Sequence, residues 1–113
     1  MEKEISKVDS VKKMLPTDDT LYDLAEVFKV FADPTRAKIM SCLRIGDLTV
    51  GAIALACDMS TSAVSHQLRI LRNAKLVKAN KEGKEVRYEL DDSHVDEIIE
   101  CGLSHLMEAQ ERR

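Results

Sequence analysis

The sequence predicts a mainly α-helical fold carrying one β-hairpin, and three observations predict it. Apolar residues recur at helical spacing over much of the chain, as in Leu21, Leu24, Phe28 and Phe31 and again in Val95, Ile98, Ile99, Leu103 and Leu106. The stretch TVGAIALACDMSTSAVSHQLRILRNAKLV sets two short helical patterns either side of a link of three or four residues, the spacing of a helix-turn-helix. Directly after it, Leu76 to Asn80 and Glu85 to Leu90 read as two strands around Lys81-Glu82-Gly83-Lys84. A chain of 113 residues supports one core, so these elements belong to one domain.

Residues 1–17 form an N-terminal arm, frayed or folded as a short extra helix, in which Ile5, Val8 and Val11 are separated by charges and which ends at Pro16. The domain proper spans 18–110. Asp18, Asp19 and Thr20 are the residue types that cap a helix, and the stripe from Leu21 to Phe31 follows them. Asp33-Pro34 reads as an N-cap followed by proline at the first helical position, opening a helix whose inward face holds Ala37, Ile39, Met40 and Leu43. Thr49 caps a short helix through Ala56, and Ser60 caps a longer one reaching about Asn73. On that longer helix Ala63, Val64, Leu68 and Leu71 face inward, leaving Ser62, Ser65, His66, Gln67 and Arg69 to face outward. Gly83 supplies the positive φ of a tight hairpin, and Val86, Tyr88 and Leu90 alternate inward. A charged hairpin after a helix-turn-helix is a wing. The last helix runs from about Ser93 to Ala109.

The net charge of -3 conceals two opposed segments. Between Ser60 and Tyr88, Arg69, Arg72, Lys75, Lys78, Lys81, Lys84 and Arg87 face only Glu82 and Glu85, a surplus of five positive charges. From Glu89 onward eight carboxylates face only Arg112 and Arg113, a surplus of six negative charges. The first segment suits a polyanion and the second a cation. Small polar and basic side chains on the outer face of a helix-turn-helix reach base edges and phosphates, so Ser62, Ser65, His66 and Gln67 are candidate base readers. Arg69, Lys81, Lys84 and Arg87 are candidate phosphate contacts. No run approaches the ~20 apolar residues that cross a bilayer, and the expectation is a cytoplasmic protein with no membrane partner. Cys42, Cys57 and Cys101 are scattered, odd in number and without C-x-x-C spacing, which speaks against a disulfide framework or a self-contained zinc finger. Cys42 and Cys57 read as small buried hydrophobes.

Two of the three histidines lie on the last helix, each near a carboxylate: Asp92 before His94, and Glu108 after His105. Along one helix the eleven steps from one histidine to the other span roughly 16 Å, whereas two donors on one zinc ion lie about 4 Å apart at most. Eleven steps of about 100° nevertheless leave both on nearly the same face. Two copies packed antiparallel about a two-fold axis would set His94 of one subunit opposite His105 of the other, making two equal sites of Asp92, His94, His105 and Glu108. The dyad then crosses each helix near Ile99 and Glu100, with Cys101 beside it. Two imidazoles and two carboxylates complete a tetrahedral shell with no open position, which suits regulation better than catalysis. The absence of a thiolate favours zinc, with cobalt or nickel as competitors. No small organic substrate and no enzymatic activity are expected.

From about Leu21 to Leu106 the sequence resembles the ArsR/SmtB family of bacterial winged-helix metal-sensing repressors. The residues that carry the resemblance are FADPTRAKIM, STSAVSHQLRILRNAKLV, GKEVRYEL and the D-x-H-x10-H-x2-E pattern from Asp92 to Glu108. The resemblance implies a winged helix-turn-helix homodimer, joined through its terminal helices, that binds palindromic operator DNA without metal and is released on binding it. It also implies a link from His105 to a main-chain carbonyl near Lys75. One departure stands out: where soft-metal members carry Cys-x-Cys, this chain has Thr49-Val50-Gly51. The alternatives are a redox- or persulfide-responsive repressor of the same fold using Cys101, and a constitutive DNA-binding protein in which zinc is structural.

Overall fold

A computed structural model of the chain describes residues 1–111; Arg112 and Arg113, counted in the charge balance above, lie outside the described residues. The elements in order are α1 (Glu2–Met14), α2 (Asp18–Phe31), α3 (Pro34–Ile45), β1 (Leu48–Thr49), α4 (Val50–Cys57), α5 (Thr61–Asn73), β2 (Val77–Glu82), β3 (Glu85–Leu90) and α6 (Ser93–Glu111). The strands form one antiparallel sheet in the order β1-β3-β2. This is a winged helix-turn-helix, with α4 and α5 as the helix pair and β2-β3 as the wing.

Side-chain caps open the inner helices as their residue types require. Asp33 accepts from the Arg36 N–H at 2.9 Å with Pro34 at the first helical position. Thr49 accepts from Ala52 at 3.2 Å, and Ser60 from Ala63 at 3.1 Å. At α2 the cap is Thr17, one residue before the expected group, and Asp18 and Asp19 instead sit in the first turn, where the helix dipole favours them. Both helices of the pair end on a left-handed residue that is not glycine. Asp58 (φ 53°) lets Met59 N–H donate to the Ala54 carbonyl at 2.9 Å, and Lys75 (φ 60°) lets Leu76 N–H donate to the Leu71 carbonyl at 2.9 Å. These are the six-to-one bonds of a Schellman cap, and they turn the chain sharply into α5 and then into the wing. Gly83 (φ 61°) is the first residue of the two-residue wing turn, the position that a type II′ turn reserves for glycine.

The core is small. Ile39, Met40 and Leu43 of α3 meet Ile53, Ala54 and Cys57 of α4, Val64, Leu68 and Leu71 of α5, Leu76 and Val77 at the start of β2, and Val95 of α6. Two expectations are corrected. The stripe Leu21, Leu24 and Phe28 faces out, and α2 packs inward through Val27, Val30 and Phe31 instead. On α6 only Val95 is buried and Ile99 half-buried, whereas Ile98, Leu103 and Leu106 are exposed. Ala37 is likewise exposed on α3, and Val86 at the wing tip is exposed because no core lies beneath it. The outward residues of α2 and α6 converge on an apolar groove of about 340 Å³ lined by Phe28, Phe31, Met40, Ile98, Leu103 and Leu106. The chain's radius of gyration is 18.5 Å, against ~13 Å for a compact chain of this length, because its terminal helices project.

These two classes of apolar residue give opposite expectations. Ile53→Ala empties a fully buried position and should lower unfolding free energy in urea by ~2 to 5 kcal/mol. Leu106→Asp, at a position 57% exposed, should leave helicity unchanged and reduce the sedimentation coefficient to that of a single chain.

Candidate nucleic-acid interface and metal centre

Ser62, Ser65, His66 and Arg69 are all exposed and, at helical spacing, form one stripe along α5 opposite Val64, Leu68 and Leu71. The same spacing carries the stripe on to Arg72 and Asn73. With Ser65, Arg69, Leu68 and Tyr88 of β3, they line a cleft of about 420 Å³ between the helix and the wing. Arg72, Asn73 and Tyr88 were missed as site residues, although continuing the i, i+3, i+4 series past Arg69 would have found the first two. Gln67, one of the expected base readers, is half-buried, and its side-chain oxygen lies 3.5 Å from Arg36 Nη1. Arg36 also donates from Nε to the Val30 carbonyl at 2.9 Å, so Gln67 is held toward α3.

The wing's charge divides into committed and uncommitted groups. Arg87, one of the expected phosphate contacts, is already engaged within the chain. Its Nε donates to Asp47 Oδ2 at 3.0 Å, its Nη2 to the Asp47 carbonyl at 3.3 Å, and its Nη1 to Glu85 at 3.4 Å. The Asp47 hydrogen bond is the main reason its pKa lies above the ordinary arginine value. Arg87 therefore fixes the base of the wing to the turn before β1, and its charge is already compensated. Lys78 is similarly paired with Glu89 at 3.3 Å, and Asn80 donates to the same carboxylate at 3.0 Å. Arg69, Arg72, Lys75, Lys81 and Lys84 form no ion pair among the described residues, so the positive surplus is concentrated on the α5 stripe and the wing tip.

On α6 the four candidate ligands fall into two half-sites. Asp92 immediately precedes the helix and caps it, its Oδ1 accepting from the His94 N–H at 2.8 Å and from Val95 at 3.4 Å. The same oxygen lies 3.3 Å from His94 Nδ1, on a histidine side chain that is 81% exposed. Burial alone would raise the Asp92 carboxyl, but its hydrogen bonds to the His94 ring and to these two backbone groups outweigh that and hold it below the ordinary carboxylate value. Asp92 thus sits beside His94 Nδ1, the side from which a carboxylate can orient a metal-binding imidazole and leave Nε2 free for the metal. His105 and Glu108 are exposed eleven or more residues along the same unbroken helix. No group of three or more potential ligands converges among the described residues of one chain. Nor does any hydrogen bond join His105 to Lys75 among them, so the expected link has no counterpart within a single chain.

Arg44, at the end of α3, anchors α6 to the domain. Its Nε donates to Asp96 Oδ1 at 2.8 Å and its Nη2 pairs with Glu100, which also accepts from Ser104 at 3.2 Å. The guanidinium is only one-fifth exposed, and its hydrogen bond to Asp96, then that to Glu100, raises its pKa. Among the described residues no helix is long and apolar enough to cross a membrane.

Residues 33–79 match the family model described as "Bacterial regulatory protein, arsR family". The chain is 42% identical over 103 residues to a cadmium resistance transcriptional regulatory protein CadC homolog of Staphylococcus aureus, covering 90% of this chain and 84% of the relative. It is 40% identical over 105 residues to a transcriptional repressor SmtB homolog of Synechocystis, covering 93% of this chain and 80% of the relative. Among solved structures it resembles the homodimeric winged helix-turn-helix DNA-binding domain Mb0332 of Mycobacterium bovis, with a TM-score of 0.80, 27% identity, and coverage of 88% of this chain and 95% of that one.

Salt dependence separates the free from the committed charges. Lys81→Ala and Lys84→Ala should each reduce the slope of log affinity against log salt by about one unit for specific and random duplexes alike. Arg87→Ala should leave that slope nearly unchanged and loosen the wing, read as faster amide exchange in β3.

Proposed function

This chain belongs to the arsR family of bacterial regulatory proteins, and on that premise we propose that zinc is its effector, bound across the dimer and releasing it from operator DNA. The chain is a metal-responsive, DNA-binding transcriptional repressor that acts as a homodimer, and it is not an enzyme. The observation that carries the finer reading is the continuity of α6, which keeps the Asp92 and His94 half-site apart from the His105 and Glu108 half-site within one chain. A second copy laid antiparallel on the exposed face of α6 would bring the two kinds of half-site together twice. The apolar groove between α2, α3 and α6 supplies a surface for that pairing. The nitrogen and oxygen donors, with no thiolate among them, support zinc over the softer metal in the name of the Staphylococcus relative, with cobalt and nickel as the nearest competitors.

Zinc bound there would supply charge and fixed coordination geometry without an open position for chemistry. Asp92 and His94 of one subunit would hold it with His105 and Glu108 of the other, fixing the angle between the two α6 helices. Arg44 transmits that angle, because it ties Asp96 and Glu100 to the end of α3, against which α4 and α5 pack. In the metal-free dimer Ser62, Ser65 and His66 would enter successive major grooves while Arg69, Lys81 and Lys84 hold phosphates. A changed α6 angle moves the two reading helices out of half-site spacing. By linkage, the factor by which zinc weakens DNA binding equals the factor by which DNA weakens zinc binding, typically ~1 to 3 kcal/mol of coupling.

Mixed dimers test the shared site. His94→Ala and His105→Ala homodimers should each bind DNA within a few-fold of the unaltered protein yet fail to respond to zinc. Mixed together, they should form heterodimers with one wholly intact site and one doubly damaged site, restoring by calorimetry half the zinc stoichiometry in the heterodimer and about a quarter in a statistical 1:2:1 mixture. No recovery on mixing, with heterodimers verified by mass, would exclude a site shared between subunits. Asp92→Asn divides the roles of that residue, since asparagine caps as well as aspartate but carries no charge. Wild-type zinc affinity in Asp92→Asn would make Asp92 an orienting and capping residue, and a large loss would make it a ligand.

A further inference from the structure

The three cysteines do not remain scattered in the fold. Cys42 of α3 and Cys57, the last residue of α4, place their Sγ atoms 3.5 Å apart, although fifteen residues separate them in sequence. Cys57 is buried and Cys42 half-buried, and both lie in the layer where α3 packs on the first helix of the reading pair. Cys101 is exposed on α6, outside that core layer.

We propose that Cys42 and Cys57 form a second regulatory site, a dithiol that hydroperoxides convert to an intramolecular disulfide, clamping α4 to α3 and weakening operator binding independently of metal. The sulfurs need to close from contact distance to the ~2.05 Å of a disulfide bond. Burial, then the neighbouring Cys42 thiol, pushes the Cys57 thiol up to about 11, so it is not the group that meets the oxidant. The half-buried Cys42 sulfur attacks the peroxide, the O–O bond breaks, and an alcohol or water leaves, giving a sulfenic acid. The Cys57 sulfur then attacks Cys42 Sγ, the S–O bond breaks, and the hydroxide departs with the Cys57 proton as water. The two thiols lose two electrons and two protons in total, and the peroxide takes up both. Drawing the end of α4 toward α3 shifts the turn at Asp58 and Met59, and with it the seat of α5. A dithiol reductant reverses the reaction by exchange.

The test uses full-length protein carrying Cys101→Ser, which removes the intersubunit route, with the DNA probe a duplex selected by the reduced protein from a random pool. Hydrogen peroxide should lower the intact mass by two hydrogens, join the Cys42 and Cys57 peptides in a non-reducing digest, and weaken operator binding at least tenfold. Dithiothreitol should restore both mass and binding. Cys42→Ser, which leaves the fully buried position untouched, should fold, bind DNA and be insensitive to peroxide. Should Cys57→Ser fail to fold, Cys57→Ala provides the second insensitive variant. The proposal is overturned if native protein gives only sulfinic or sulfonic products, if the disulfide forms only after unfolding in urea, or if it forms without changing operator affinity. Failure of the reduced protein to select any duplex would count against the DNA-binding reading instead, since the mass and digest would still report the disulfide.

Discussion

Twelve buried apolar side chains hold this chain together, and nearly all come from α3, α4, α5 and the start of the wing. A core of that size covers one face of each inner helix and little of the outer ones: α1 and α2 contribute no fully buried residue and α6 contributes one. At ~25 cal/mol per Å² of apolar surface removed from water, the exposed stripes of α2 and α6 are a substantial unrealised gain. The inner helices are therefore free to present a polar reading face, and the outer helices are left to pair with another chain. Dimerisation through these helices would complete the fold's burial, and the proposed metal half-sites lie on α6, one of the helices it would cover.

Charge is segregated along the same division. The basic groups that lack partners lie on α5 and the wing tip, whereas those at the wing base are compensated by Asp47, Glu85 and Glu89. A polyanion would consequently meet uncompensated charge on α5 and the wing tip. On α6 the carboxylates Asp96 and Glu100 are spent on Arg44, which separates the acidic residues that anchor the helix from Asp92 and Glu108, which remain at its two ends.

Most of the fold was legible because its signals are local. Asp33-Pro34, Thr49 and Ser60 were read as caps from residue type alone, and Gly83 marked the turn of the wing. What failed was the direction of apolar stripes. Periodicity places Leu21, Leu24 and Phe28 on one face of α2, but the chain carries a second apolar face through Val27, Val30 and Phe31, and sequence spacing does not say which one its own core takes. The candidate metal residues rest on the eleven-residue interval, which fixes both their common face and their separation on one helix. The intrachain contacts of Gln67, of Arg87 and of the Cys42 and Cys57 pair were not legible, since Arg36 lies 31 residues from Gln67, Asp47 lies 40 from Arg87, and the two cysteines are 15 apart. Contacts of that range leave no periodic trace.

Helix α3 connects these features. Arg36 in its first turn contacts Gln67 on α5, Cys42 touches Cys57 on α4, and Arg44 in its last turn holds Asp96 and Glu100 on α6. From Arg36 to Arg44 is about 12 Å along a rigid rod, so a tilt imposed at one end displaces the other rather than being absorbed between them. Ile39, Met40 and Leu43 pack the remaining face against α4 and α5, and close-packed interiors transmit displacement. On the proposed function, a change in α6 would reach α5 through one twelve-residue helix, and oxidation at Cys42 would act on that same helix from its middle. Two chemically unrelated inputs can converge on one output because each biases the seat of α3 and neither needs to touch DNA.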